Sequence, residues 1–234
     1  MQWKSQIFLS RDASLAIALL VSTVASDVYA DIDTTMLRER FSAMATAPAN
    51  APSSADAAFE RGLAYDLGQG VEQDRAKAAE WYRQAAERGH PQAQLNLGLL
   101  FSEGLGVARD EAEAVKWFEL AAGAGNPDGQ YSLALMHASG RGTTQDYPRA
   151  RELYEQAAKR GNHQAMNNLG IMYALGQGDA VNYVDAFAWF SLAEAHGNSE
   201  AAENRTLTSQ EMSASERKEA ELAYQKLSAR IGGG

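Results

Sequence analysis

The fold of this chain is decided by residues 91–126, PQAQLNLGLLFSEGLGVARDEAEAVKWFELAAGAGN, because the glycines of this stretch recur along the sequence every 36 residues. Three series keep that period: Gly68, Gly104, Gly140 and Gly176; Gly70, Gly106, Gly142 and Gly178; Gly89, Gly125, Gly161 and Gly197. A fixed period of this length is typical of stacked supersecondary units. We therefore predict a repeat array whose function lies in a surface.

Each unit of this array is predicted to be a pair of helices. The paired glycines, such as Gly104 and Gly106, lie between two helical patterns, and glycine reaches the positive φ of a left-handed helix cap without a Cβ clash. The second helix carries small and large residues on one face, which we expect to pack between neighbouring helix pairs. In the second unit these residues are Ala114, Trp117, Phe118 and Ala121.

The residues just before the four second helices lie 36 residues apart, and each is an aspartate or an asparagine. Aspartate and asparagine side chains accept hydrogen bonds from the free N–H groups of a first helical turn, so we expect N-caps here. Residues one period apart lie in separate units, whereas a general acid and base must share a pocket, so the series does not predict catalysis. The residues are Asp74, Asp110, Asp146 and Asn182.

Four repeats are predicted, followed by a closing segment. After the repeats, residues 199–205 look like the start of another first helix, and Ser213 with Glu216 predict a capping box for a helix that ends near Arg230. The charged residues of that helix suit a lid over the last hydrophobic face of an open array, so residues 199–234 are predicted as a half-repeat and capping helix. The four repeats span residues 55–90, 91–126, 127–162 and 163–198.

The amino-terminal segment predicts a secretory signal peptide over residues 1–30. Lys4 and Arg11 precede the apolar residues 13–25. Val28 and Ala30 are small residues at the two positions that a signal peptidase recognises before its cleavage site. We expect cleavage after Ala30 and a periplasmic location. A buried helix and an uncleaved anchor are the alternatives, but 13 apolar residues are fewer than the ~20 of a spanning helix, so stable membrane insertion is not expected.

Residues 31–54 are predicted as a short amphipathic helix over 31–45 and a Pro/Ala/Ser linker from Ala47 to Ser54. Whether this segment caps the first repeat, folds into the groove or is a flexible tether stays open.

Composition excludes several classes of function. The net charge of -9 comes without a basic cluster, which argues against nucleic acid as a partner. Cysteine is absent, which excludes disulfides, thiolate metal sites and thiol nucleophiles. The four histidines have no close spacing of the kind that zinc sites use. We expect no metal ion, no cofactor and no enzymatic activity.

The residues of a known family pattern recur in register in the four units. The pattern resembles the Sel1-like repeat, a relative of the tetratricopeptide repeat, over residues 55–198, with departures at Arg61, His137, Leu153 and Glu194. This resemblance implies an all-α, right-handed α-solenoid of four 36-residue helix-turn-helix repeats with first helices lining a concave face, and an adaptor or scaffold function. In the second unit the pattern residues are Ala93, Leu97, Gly98, Phe101, Gly104, Gly106, Val107, Asp110, Ala114, Trp117, Phe118, Ala121, Ala122 and Gly125.

The concave face is the candidate binding site. Its positions are carried over from the grooves of tetratricopeptide domains, and they are rich in amides, which pair with a peptide backbone, and in acids, which favour a basic ligand. The alternative interpretation is that these residues are ordinary solvated helix positions. The residues are Asp56, Glu60, Leu63, Gln92, Asn96, Leu99, Glu103, Asp128, Tyr131, Leu135, Gln164, Asn167, Asn168 and Ile171.

The sequence therefore predicts a monomeric periplasmic scaffold that binds a protein or peptide partner, with a basic partner favoured. Two alternatives stay open: a cell-envelope enzyme that hydrolyses wall material, and a ring or assembly subunit of an envelope machine. The identity of the partner is left open.

Overall fold

The computed structural model describes residues 54–232, and this range is all-helical, without a strand. The predicted signal peptide, the helix over 31–45 and the linker up to residue 53 lie outside the described residues. The helices are α1 (Ala55–Leu67), α2 (Arg75–Ala86), α3 (Pro91–Glu103), α4 (Glu111–Gly123), α5 (Pro127–Ser139), α6 (Tyr147–Ala158), α7 (His163–Leu175), α8 (Tyr183–Ala195), α9 (Ser199–Gln210) and α10 (Ala214–Gly232).

The described residues form two compact units. The amino-terminal unit consists of residues 54–132 and 141–143, and the carboxy-terminal unit of residues 133–140 and 144–232.

In the first, second and fourth repeats, an aromatic ring of the second helix packs against a glycine of the first helix. In the amino-terminal unit, Phe118 of α4 is 2% exposed and covers Gly98 of α3, where an added Cβ would lie 2.6 Å from the ring. Gly170 and Phe190 repeat this contact in the carboxy-terminal unit, and Ala134 takes the glycine position in the third repeat. The predicted stripe of small and large residues on the second helices is therefore confirmed as core.

The paired glycines have two different structural roles. Gly104 ends α3 as a left-handed cap with φ of 70°, as predicted. Gly106 also has a positive φ, and it lies against the backbone of Arg75, the first residue of α2, so closely that an added Cβ would overlap the carbonyl group. Gly142 meets Glu111 at the start of α4 in the same way. The second glycine thus brings the turn of one repeat onto the second helix of the repeat before it.

The predicted N-caps are confirmed at all four second helices. Asp74 accepts a hydrogen bond from the backbone N–H of Lys77 at 3.0 Å, and this bond, with the Lys77 side chain, lowers the pKa of the Asp74 carboxyl. The equivalent bonds of Asp110, Asp146 and Asn182 measure 2.9, 2.9 and 3.0 Å.

Three of the departures from the family pattern have local partners. The Arg61 guanidinium lies over the Trp81 ring at 4.9 Å, so the cation replaces an aliphatic contact with a cation–π contact. Leu153 is 2% exposed and fills the place of tryptophan. Glu194 pairs with Arg205 at 2.8 Å on the surface.

The carboxy-terminal end closes as the sequence predicts. Ser213 and Glu216 form the capping box, with the Ser213 N–H donating to the glutamate at 2.8 Å and the Glu216 N–H donating to Ser213 Oγ at 3.2 Å. Ala220 of α10 is buried against Phe187 of α8 together with Met212. The final helix therefore covers the apolar face of α8.

We predict that Gly106→Ala destabilises the protein more than Gly89→Ala. Both glycines have positive φ, 72° and 85°, so both variants bear the backbone cost of about 1–2 kcal/mol for an L-residue there. Only Gly106 has a neighbouring backbone in the way, whereas a Cβ at Gly89 meets nothing within 4 Å. The clash adds about 1–3 kcal/mol, measurable by urea denaturation. Equal losses in the two variants would contradict the proposed contact between repeats.

Candidate functional site

The fourteen residues predicted for the concave face divide into two groups by exposure. One group is exposed or half-buried: Asp56, Glu60, Gln92, Glu103, Asp128, Gln164 and Ile171. The other group is buried: Leu63, Asn96, Leu99, Tyr131, Leu135, Asn167 and Asn168.

Burial corrects the prediction for the second group, because these side chains pack inside the protein and do not line an open groove. Asn168 donates a hydrogen bond from Nδ2 to the Tyr154 hydroxyl at 3.2 Å, and Asn167 accepts one from Asn204 at 3.0 Å. Both amides thus hold neighbouring helices together.

An amide chain links neighbouring first helices of the amino-terminal unit. Asn126 donates to Gln92 at 3.1 Å, and Gln92 donates to Asn96 at 3.3 Å. Asn126 also caps α5 by accepting from the Gly129 N–H at 2.7 Å. Asn126 therefore holds the predicted residue Gln92 in place. The sequence analysis assigned no role to Asn126, although His90, Asn162 and Asn198 share its 36-residue phase.

The exposed group of the amino-terminal unit is acidic. It holds four carboxylates and the amide of Gln92, and the Asp56 side chain is 85% exposed. Arg61 is the one basic residue of α1 and α3, and its guanidinium is stacked on Trp81. The first helices of this unit therefore present negative charge with little positive charge of their own. The four carboxylates are those of Asp56, Glu60, Glu103 and Asp128.

His90 joins this acidic edge to the start of α3. Its Nδ1 accepts a hydrogen bond from the Ala93 N–H at 3.1 Å, its ring stacks on Phe59 at 4.3 Å between centroids, and its Nε2 lies 3.6 Å from Asp56. Burial lowers the pKa of His90, and the charge of Asp56 opposes that shift. His90 is thus a neutral N-cap at the place where three other repeats use asparagine.

The acids that recur with the repeat do not form a metal site or an acid–base pair. Residues 54–232 contain no group of three or more His, Cys, Asp or Glu side chains that could hold a metal ion. The periodic acids are N-caps in separate repeats, so they supply no acid and base in one pocket for the hydrolase alternative. Within the same range, no helix has the length and apolar content needed to cross a membrane.

Comparison with known proteins identifies the repeat. A family model described as Sel1 repeat matches residues 55–90, 91–126, 127–162 and 163–198. No curated protein matches the chain.

Two solved structures are similar to this chain. One is a Sel1 repeat protein from Oxalobacter formigenes, with 34% identity and a TM-score of 0.63 over 66% of this chain and 63% of that protein. The other is a protective antigen of uropathogenic Escherichia coli strains displaying an SLR fold, with 27% identity and a TM-score of 0.53 over 83% of this chain and 48% of that protein. The chain spans less than two thirds of the length of either relative.

We predict that the protein loses stability on acidification through His90. Because the pKa of His90 is lower in the folded protein than in the unfolded chain, the unfolded chain takes up the proton first. The contribution of this cap is therefore present above the ordinary histidine pKa of about 6.5 and declines as the pH falls below it. Thermal unfolding at about pH 7.5 and about pH 5.5 measures the effect.

His90→Asn is the matched control, since Asn162 makes the same cap by accepting from the Ala165 N–H at 2.7 Å. This variant should lose less stability between the two pH values than the wild type. An equal loss in both proteins would rule out His90 as the titrating group.

Proposed function

The chain belongs to the Sel1 repeat family, and we propose that it is an interaction scaffold whose amino-terminal unit binds a basic protein or peptide. Sel1-repeat proteins are generally protein–protein interaction scaffolds. The family is typically non-enzymatic, and a binding role needs no chemistry beyond what the described residues offer.

The observation that carries this proposal is the pair of carboxylates that α1 and α3 present to solvent, those of Asp56 and Glu103. Asp56 and Glu103 reach solvent at opposite ends of the two helices, and Arg61 is engaged with Trp81. Lysine and arginine side chains of a partner would be attracted to this edge, and acidic partners would be repelled. The charge thus supports selectivity for a basic partner.

The amide chain supports a protein or peptide as the partner. Gln92 is half-buried and fixed by Asn126 and Asn96, so its amide group is already ordered before a partner arrives. Amide groups offer both donors and acceptors, which suits the peptide backbone. A rigid surface of this kind adds little ordering cost on association.

We predict that peptides selected from a random display library on the wild-type protein are enriched in lysine and arginine. Asp56→Asn combined with Glu103→Gln should weaken the selected peptide by about tenfold or more in fluorescence polarisation, because each lost charge removes an attraction of about 1 kcal/mol.

The matched control is Glu80→Gln with Glu119→Gln, which removes the same charge from exposed positions on the second helices. The control variant should bind the peptide like the wild type. If both double variants weaken binding equally, net charge alone explains the attraction and the acidic edge is not the site.

We also propose that the scaffold works in the periplasm after export by residues 1–30. The proposal rests on the basic, apolar and small-residue pattern that ends at Ala30. Ala30→Phe should block processing, because the peptidase accepts only small residues at this place, whereas Tyr29→Phe should leave processing unchanged.

Export is tested by fusing residues 1–30 to an alkaline phosphatase that lacks its own leader. We expect phosphatase activity in the periplasm and a mature chain that starts at Asp31, read by mass spectrometry. An inactive fusion that keeps Met1 would overturn the proposed location.

A further inference from the structure

A cavity of about 380 Å³ lies in the carboxy-terminal unit, among α6, α7, α8 and α10. Its volume is in the range of small-molecule binding sites. Two aromatic residues and two acids line it, together with two basic residues from α10: Tyr173, Trp189, Glu155, Asp185, Lys226 and Arg230.

The aromatic residues of the amino-terminal unit show what normally lies beside such rings. Lys77 Nζ is 5.4 Å from the centre of the Tyr65 ring, and the Arg83 guanidinium is 5.4 Å from that of Phe101. Tyr65, Phe101 and Tyr173 occupy one repeat position. In the amino-terminal unit the protein therefore places one of its own cations beside Tyr65 and another beside Phe101.

At Tyr173, the ring of the fourth repeat, both cation positions hold carboxylates, one from the third repeat and one from the fourth. Asp185 takes the position of Lys77, and Glu155 takes the position of Arg83. The other three copies of the ring position are Tyr65, Phe101 and His137. Each has a basic residue in at least one of the two places: Lys77 for Tyr65, Arg83 for Phe101 and Arg149 for His137. Tyr173 thus has two acids where the other copies have a cation.

The Trp189 ring has no cation at the position that Arg61 takes over Trp81, and the same is true of Trp117, where this position is Leu97. Trp81 lies under the guanidinium of Arg61, and the residue equivalent to Arg61 in the fourth repeat is Leu169, which is fully buried. Neither cavity ring therefore has a cation at the positions of Arg61, Lys77 and Arg83, although Arg151 lies beside the Tyr173 hydroxyl.

The two carboxylates act on the Tyr173 hydroxyl from the cavity. The pKa of Tyr173 is raised, first by burial and then by the charges of Asp185 and Glu155, while Arg151 opposes the shift. Arg151 itself lies 3.5 Å from Asp179. Asp185 accepts a hydrogen bond from Asn182 at 2.7 Å but, like Glu155, makes no ion pair within the described part of the chain.

The basic residues lie on the α10 side of the same cavity. Lys226 and Arg230 are exposed, and within residues 54–232 neither forms an ion pair with the two cavity acids. The cavity therefore has a negative side beside two rings and a positive side on α10.

We propose that this cavity binds a ligand with a cationic side chain and a free carboxylate, either free arginine or lysine or the carboxy-terminal basic residue of a peptide. The ligand's cation lies between Glu155 and Asp185, in the place that Lys77 and Arg83 take in the other unit. Its carboxylate pairs with Lys226 and Arg230. This site is independent of the acidic edge on α1 and α3.

Isothermal titration with L-arginine, L-citrulline and L-argininamide tests the two halves of the proposal. Citrulline has the shape of arginine without its side-chain charge, and we expect it to bind at least about tenfold more weakly than arginine. Argininamide lacks the carboxylate and should also bind more weakly. Absence of arginine binding, or equal binding of citrulline, would overturn the cation site; equal binding of argininamide would overturn the carboxylate pairing.

The tripeptide Gly-Gly-Arg separates the two sources of this chemistry. Tighter binding of the tripeptide than of free arginine assigns the site to peptide termini, and weaker binding assigns it to the free amino acid.

Glu155→Arg combined with Asp185→Lys copies the cations of the amino-terminal unit into the cavity. We expect this variant to lose arginine binding and to keep or raise its melting temperature, because the added cations occupy the ligand's place. Arginine binding that survives the double change would overturn the proposal.

Glu155→Gln with Asp185→Asn is the milder variant in case the first does not fold, and it should weaken arginine binding at least about tenfold. Glu119→Gln with Glu113→Gln changes the equivalent positions of the second helix of the second repeat and should leave binding unchanged. If both pairs weaken binding equally, the effect is due to net charge and the cavity is not the site.

Discussion

The structure depends on one close contact, between the second glycine of the turn in the second, third and fourth repeats and the first residue of the preceding second helix. Gly106 lies against Arg75, Gly142 against Glu111, and Gly178 against Tyr147. A Cβ at Gly106 or Gly142 would overlap the backbone of the neighbouring helix, and a Cβ at Gly178 would overlap the Tyr147 Cβ, so each turn needs glycine to lie this close to the helix. An insertion between the first helix and this glycine would move the glycine off its contact, so the contact favours a turn of constant length.

Stacking at this distance determines which polar groups remain available to a partner. The amides Asn167 and Asn168 lie between helices and hydrogen-bond to neighbours in the same unit, so they stabilise the stack. Acids at the ends of the first helices, such as Asp56 and Glu103, stay in contact with solvent. Tight packing thus leaves these charges at the edges of the first helices, where we propose that a basic partner binds.

The repeats have one backbone pattern but different charges, and the proposed ligand site rests on these differences. Arg61 and Lys77 lie over rings in the first repeat, whereas the fourth repeat has Leu169 and Asp185 at these positions. The substitution leaves the helices in place and changes only what lies beside the aromatic ring. A repeat fold thereby allows each unit to acquire its own binding chemistry without loss of the shared core.

The sequence alone determined the helix pairs, the N-cap of Asp110, the capping box of Ser213 and the Sel1 family, all of which are confirmed, because caps, turns and periodic faces depend on residues close in the chain. It also determined which side of a first helix carries Asn96 and Asn168. Only the tertiary structure decided how deep that side lies, because exposure depends on how closely the neighbouring helices approach. The cavity beside Tyr173 could likewise not be predicted from the sequence, because the residues of α10 that line it lie more than 40 residues after Tyr173 in the chain.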